Sequence, residues 1–257
     1  MRARIVAKGV ERSRVSVARD GADLVSQSVP QLDAEVIRLI RGNFRFVLLH
    51  AGNLGFYGAW DTLLAAARAL SDEGVGFVFV GDGAERKRLE AAAAGMGNVR
   101  FLVAGSGTHE AALREQAHEL GLYEHGGFLG WIGDDVLHSL YRIADLCVVP
   151  SIYEPFGLVA LEAMASGCPC IVADTGGLRE VVPTGERVGL RFNGGDAEHL
   201  GVMIERLLVD DALRDRLVME ASEHVLRFDW DDVARRTRAI YSSVRTTTAR
   251  RERVRRG

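Results

Sequence analysis

Cysteine is scarce in this chain of 257 residues: only Cys147, Cys168 and Cys170 occur, and none has a C-x-x-C partner. Their apolar strand-like or turn surroundings predict buried, reduced thiols and exclude a disulfide framework. Lysine is rarer still, at Lys8 and Lys87, while arginine is abundant, a bias we ascribe to genome base composition. No apolar run approaches the length of a membrane span, and the start does not read as a secretory leader. A formal net charge of -3 leaves no excess of positive charge for a nucleic-acid partner. None of the seven histidines falls in H-E-x-x-H or another metal spacing, so no bound metal and no metal cofactor are expected. A cytoplasmic protein fits these absences.

From Phe44 onward, short apolar runs alternate with helical stretches. The runs at 46–50, 76–80, 99–104, 127–129, 146–149 and 170–173 read as strands. Three of them are continuous in Val, Leu and Phe, as strands covered on both faces require. Helices are expected at 61–71, 84–94, 110–120, 135–143 and 158–166. The alternation predicts an α/β fold, a doubly wound parallel sheet with ligand-binding loops along one edge. Three further helices are expected at 196–208, 211–226 and 230–244. The arginine-rich 245–257 is expected to fray into a solvated tail, with a membrane-surface contact as a second reading.

The richest stretch is Pro150-Ser-Ile-Tyr-Glu154-Pro-Phe-Gly-Leu-Val-Ala-Leu-Glu162. It follows the apolar run at 146–149 and opens an Ala/Leu/Met-rich helix. Phe156, Gly157 and Leu158 are expected in the first turn, where unpaired N–H groups and the helix dipole favour phosphate. Glu154 is expected in the preceding loop and Glu162 about two turns in. An anion cradle flanked by carboxylates that can hold hydroxyl groups suits a sugar nucleotide.

Together with Gly167-Cys-Pro and Asp174-Thr-Gly176-Gly177-Leu-Arg-Glu180, this stretch resembles the donor half of retaining GT-B glycosyltransferases of the group 1 family. The two glutamates match its E-x7-E motif. The resemblance implies that Glu154 contacts the transferred sugar and serves as the catalytic candidate. It also implies that the amides of Phe156, Gly157 and Leu158 face the diphosphate, and that Glu162 holds the ribose. The co-substrate implied is a nucleotide-diphosphate sugar, handled without a metal. The acceptor implied is a sugar, lipid or glucan, bound mainly by a second domain that this chain does not contain. On that reading 1–43 is a partial segment leading from the acceptor half, 44–228 the donor domain, and 229–257 a C-terminal helix and tail.

Several signals bear on that reading. Gly52-Asn53-Leu-Gly55-Phe-Tyr-Gly58 follows the first strand, and such a turn brings backbone close to a phosphate. The family usually carries an arginine after the first glycine and a lysine further on; here Asn53 stands in place of the first, and the loop has no cation. Either other groups supply charge or the domain is weak. The glycine spacing does not match the G-x-G-x-x-G of NAD enzymes. Gly130-Trp131-Ile-Gly133 follows another strand, and Trp131 is expected either near the nucleobase or packed. Asp229-Trp-Asp231 formally reads as a D-x-D metal motif, but its place before a helix favours capping. Val80-Gly-Asp-Gly and Ala104-Gly-Ser-Gly repeat a strand-turn-helix unit where the family is expected to have one. Such an extra unit must add a strand without separating the site loops. Finally, Trp230, Val233, Thr237, Ile240, Tyr241 and Val244 form an apolar stripe, predicting that the last helix docks on the donor domain or self-associates. The function expected is hexose transfer with retention. The alternative is a non-catalytic nucleotide-sugar-binding module that works beside a separate acceptor chain.

Overall fold

The computed structural model describes residues 2–17, 20–22, 32–104 and 126–256, with backbone alone for 35, 126, 128 and 245–256. Seven strands form one parallel sheet: β1 (Phe46–Ala51), β2 (Val75–Val80), β3 (Val99–Ala104), β4 (Gly126–Gly130), β5 (Leu146–Val149), β6 (Cys170–Ala173) and β7 (Leu190–Phe192). Their order is β4-β3-β2-β1-β5-β6-β7, and every pairing is parallel. The chain thus winds outward one way from β1 and the other way from β5. Where such winding reverses, adjacent loops diverge and leave a crevice at the carboxyl ends of the strands. The reversal lies between β1 and β5.

The described helices are α1 (Arg2–Val6), α2 (Ala34–Arg41), α3 (Trp60–Ala69), α4 (Arg86–Ala92), α5 (Asp134–Ile143), α6 (Leu158–Ala165), α7 (Leu178–Val181), α8 (Ala197–Val209), α9 (Asp211–Val225) and α10 (Trp230–Arg256). Alternate residues of the strands, among them Leu48, Phe77, Phe79, Val148, Ile171 and Phe192, join Leu63, Leu64, Ile204 and Leu207 in one continuous apolar core. The α6 helix buries Leu161 and Met164 completely or nearly so. Each such side chain contributes about 1.5–3 kcal/mol, which holds the helix start at the crevice.

Register between the two central strands is set by Asp145. Its amide donates to the Val47 carbonyl at 2.9 Å, its carboxylate accepts the Val47 amide at 2.7 Å, and Arg41 pairs with the same oxygen. Backbone pairing of β1 with β5 then covers Leu48 with Leu146 and Leu49 with Cys147.

The strand expectations at 46–50, 76–80, 99–104, 127–129, 146–149 and 170–173 are met within a residue at either end. The second glycine turn of the repeated unit and the helix expected at 110–120 lie outside the described residues. The strand that follows them is β4, which adds at the outer edge beyond β3. An extra unit is therefore accommodated far from the reversal, and the loops after β1 and β5 stay neighbours. The three-residue β7 escaped the sequence reading because Arg191 interrupts its apolar run.

Contacts divide the chain into two units, 1–23 with 226–257, and 24–225. The second contains the sheet and α2 through α9. In the first, Ala22 bridges Asp229 and the Trp230 ring covers Gly21. The Asp229 carboxylate accepts the Asp231 amide at 3.3 Å, so it caps α10. The expected fraying after Arg245 is corrected: α10 continues to Arg256. No glycine or proline interrupts 230–256, and arginine is a strong helix former.

Candidate functional site at the sheet reversal

The loops after β1 and β5 meet directly. Gly58 bridges Ser151, the Ala59 amide donates to the Pro150 carbonyl at 2.6 Å, and the Ile152 amide donates to Tyr57 at 2.7 Å. The rings of Tyr57 and Tyr153 stand 5.3 Å apart on the same rim. Within the first loop, the amide of Gly52 donates to Val80 and that of Leu54 to Asp82, while the Trp60 indole holds the Gly55 carbonyl at 2.7 Å. Asn53 lies between these anchors, and Gly55 is itself held by the last of them.

Gly157 takes a left-handed conformation, φ 111°, and is the N-cap of α6. The helix therefore begins at Leu158, which corrects the expectation that Phe156, Gly157 and Leu158 share its first turn. The Phe156 amide instead lies 3.4 Å from the Glu154 carboxylate. The first intrahelical bond runs from the Leu161 amide to the Gly157 carbonyl, and no side chain caps the end. The amides of Leu158, Val159 and Ala160 thus precede the hydrogen-bonded ladder, where anions are favoured. By the same shift Glu162 is the fifth helical residue, little more than one turn in, not two.

The two glutamates sit differently. Glu154 is half-buried and folds onto its own loop, with the Ser151 hydroxyl 3.3 Å from its carboxylate. Glu162 leans toward α5. Burial raises its pKa above the ordinary glutamate value, the nearby Asp134 charge adds to the rise, and the Tyr141 hydroxyl opposes it. That hydroxyl approaches without completing a hydrogen bond, and it is one of two buried side-chain atoms without a partner among the described residues. Asp134 opens α5 directly after the Gly130–Gly133 loop, so Glu162 and the Trp131 loop belong to one neighbourhood. Trp131 is 79% exposed, which removes the packed alternative.

A third loop props the second. The Gly177 amide donates to the Glu154 carbonyl at 2.7 Å, and Thr175 donates to Ile152 at 3.1 Å. A Cβ on Gly176 would lie 2.1 Å from the Glu154 carbonyl oxygen, and φ there is +45°. Only glycine fits that contact. Asp174-Thr-Gly176-Gly177 is thus a buttress for Glu154, a role that spacing alone left open. Glu180 is exposed on α7. Arg179 and Arg191 both pair with the Asp174 carboxylate at 3.0 Å.

The residue that sequence reading missed is His50, the next-to-last residue of β1 before the loop. It is buried, its Nδ1 lies 2.9 Å from the Val148 carbonyl, and Trp60 meets its ring edge-on at 4.8 Å. Burial pushes its pKa down to about 4. The three cysteines are buried; Cys147 and Cys170 are register partners on β5 and β6, and the neighbouring thiol and burial push Cys147 well above the usual range. Surface hollows of about 550 and 880 Å³ open where β1 and β2 begin, at the other edge of the sheet.

Comparison with known proteins agrees with this fold. Residues 95–224 match the family model of glycosyl transferases group 1. A D-inositol 3-phosphate glycosyltransferase of Thermomonospora curvata is 31% identical over 263 residues, covering 95% of this chain and 58% of that protein. Among solved structures, HepE of Anabaena in complex with UDP and glucose superposes with a TM-score of 0.66 at 23% identity, over 94% of this chain and 60% of that one. The C-terminal domain of a group 1 glycosyl transferase from Francisella tularensis superposes with a TM-score of 0.51 at 20% identity, over 77% of this chain and 93% of that domain. The chain spans between 34 and 58% of the length of the curated relatives it matches. The family match takes in β3 to β7, the loop after β5 and α6, and by that match the chain belongs to the group 1 glycosyl transferases.

Proposed function

We propose that this chain is the donor-binding half of a glycosyltransferase that takes a hexose from a nucleotide-diphosphate sugar, with retention of configuration and without a metal. One observation carries the reading: the uncapped start of α6 opens at the β1/β5 reversal, with Glu154 before it and Glu162 on its next turn. In this reading the amides of Leu158 and its neighbours hold the diphosphate, and Gly52, Asn53 and Gly55 line the facing wall. Glu154 orients the transferred sugar, Glu162 accepts the ribose hydroxyls, and exposed Trp131 offers a face to the base. Helix amides fixed in place ahead of reaction stabilise charge that grows on the leaving diphosphate. The acceptor attacks from the side the diphosphate leaves, and the acceptor itself is bound by a second domain or a separate chain. The relative's name supports glycosyl transfer, and the UDP complex of HepE supports a nucleotide-sugar donor.

Calorimetric titration with nucleoside diphosphates tests the assignment. Glu162→Ala is expected to weaken binding about tenfold or more, the loss of a charge-assisted hydrogen-bond pair. Glu154→Ala is expected to leave nucleoside diphosphate affinity nearly unchanged and to erode discrimination among donor sugars. Equal affinities in the wild type and both variants would overturn the assignment. Turnover gained only on adding an acceptor-domain chain would show that the half works as a subunit.

A further inference from the structure

The loop 52–58 faces the proposed diphosphate without a cation; of the described arginines around it, Arg179 and Arg191 are turned to Asp174, Arg86 to Asp82 and Glu90, and Arg88 to Asp61 and Glu85. One basic group lies beneath the loop. Beyond Leu49 and Cys147 the backbone ladder between β1 and β5 stops, although both strands continue. At that point the His50 side chain replaces the ladder, reaching 2.9 Å across to the Val148 carbonyl. A carbonyl only accepts, so Nδ1 carries the proton and Nε2 presents a lone pair. Nε2 is buried and has no hydrogen-bond partner among the described residues. It lies 3.9 Å from the point a Cβ on Gly52 would occupy, and Val159 Cγ2 of α6 lies 3.5 Å from the same point. The missing side chain of Gly52 leaves Nε2 directly under the place where the loop and the start of α6 converge.

We propose that His50 supplies, from beneath the loop, the positive charge that the loop lacks: its imidazole is neutral in the free protein and takes up one proton from solvent as a nucleoside diphosphate sugar docks above Gly52. This rests on the donor-site reading above and deepens it. The proton goes to Nε2, and Nδ1–H stays on Val148. The groups around the ring are Trp60 of α3, Phe79 of β2, the Val148 carbonyl of β5 and Val159 of α6. None of these is charged, and the shift of the ring to about 4 has no contribution from another titrating group. An arriving dianion is therefore the first charge the imidazole meets. A single opposite charge within ~4–6 Å moves a pKa by ~1–3, and a diphosphate brings two. His50 acts here through space as a positioning charge, not as a group bonded to the ligand.

The test is calorimetry with UDP-glucose and ADP-glucose, whose phosphates do not titrate near neutrality, in buffers of different ionisation enthalpy from pH 6 to 8. The wild-type chain is expected to take up a fraction of a proton that grows as pH falls, and to bind more tightly at pH 6 than at pH 8. His50→Asn, which keeps a donor to Val148, is expected to bind on the order of tenfold more weakly at pH 6, with no proton uptake and a flat pH profile. Imidazole nitrogen shifts of labelled wild-type protein report the same event without a variant: on saturation at pH 6, His50 should move from the neutral Nδ1–H values toward imidazolium, and less so at pH 8. Binding with His50 still neutral, or with uptake retained in His50→Asn, overturns the proposal and leaves the donor site intact. No binding of these two, nor of GDP- or TDP-linked hexoses in the same titration, overturns the donor-site reading and the proposal together.

Discussion

Burial holds the His50 imidazole at about 4, below its ordinary 6.5. Between those values the unfolded chain binds a proton that the folded chain does not. Stability from this group is thus fully present above pH 6.5 and is lost as pH falls toward 4, by about 3 kcal/mol in all. Urea unfolding of the wild type from pH 7 to 4 should show that loss, and His50→Phe should flatten it; an unchanged slope in the variant would contradict the buried neutral ring. Gly176→Ala probes the buttress. Its new Cβ would meet the Glu154 carbonyl oxygen at 2.1 Å in a left-handed conformation, so we expect a loss of about 1–3 kcal/mol and weaker sugar discrimination, read by unfolding and by donor competition. Glu154 and Glu162 could be named as candidates from sequence because they lie in one contiguous stretch. His50 and Tyr141 were not, because the groups that define them, Val148 and Glu162, are brought to them only by folding.

Among elements, α6 does the positioning. Its start is set by Gly157, its buried face by Ala160, Leu161, Ala163 and Met164, and Cys170 Sγ reaches the Ala160 carbonyl at 3.6 Å. Ala160 is fully buried, so Ala160→Leu should overpack that face at a cost of about 1–3 kcal/mol. It should also lower nucleotide affinity by moving the helix start; stability loss with unchanged affinity would uncouple the two. The central strands were readable from sequence because burial on both faces demands unbroken Val, Leu and Phe. The α6 start at Leu158 was readable, but Phe156 and Gly157 were wrongly placed in its first turn because a glycine's φ is not written in its neighbours. β7 was missed because three residues with an arginine at the centre carry no apolar period.

At the scale of the whole molecule, the strand order explains how an enlarged sheet keeps its site. New structure enters at the β4 edge, and the β1/β5 reversal is untouched. The stripe on α10 is less well covered: Tyr241 is 67% and Val244 57% exposed. We expect concentration-dependent self-association in sedimentation, abolished by Tyr241→Asp with Val244→Asp; a wild-type monomer at all concentrations would refute it. The central claim concerns the crevice, and a crystal structure of this chain grown with UDP tests it most directly. The account predicts the diphosphate within hydrogen-bonding distance of the Leu158–Ala160 amides, the ribose on Glu162, and the loop 52–58 opposite. A diphosphate bound at any other edge of the sheet, with both glutamates untouched, would contradict it.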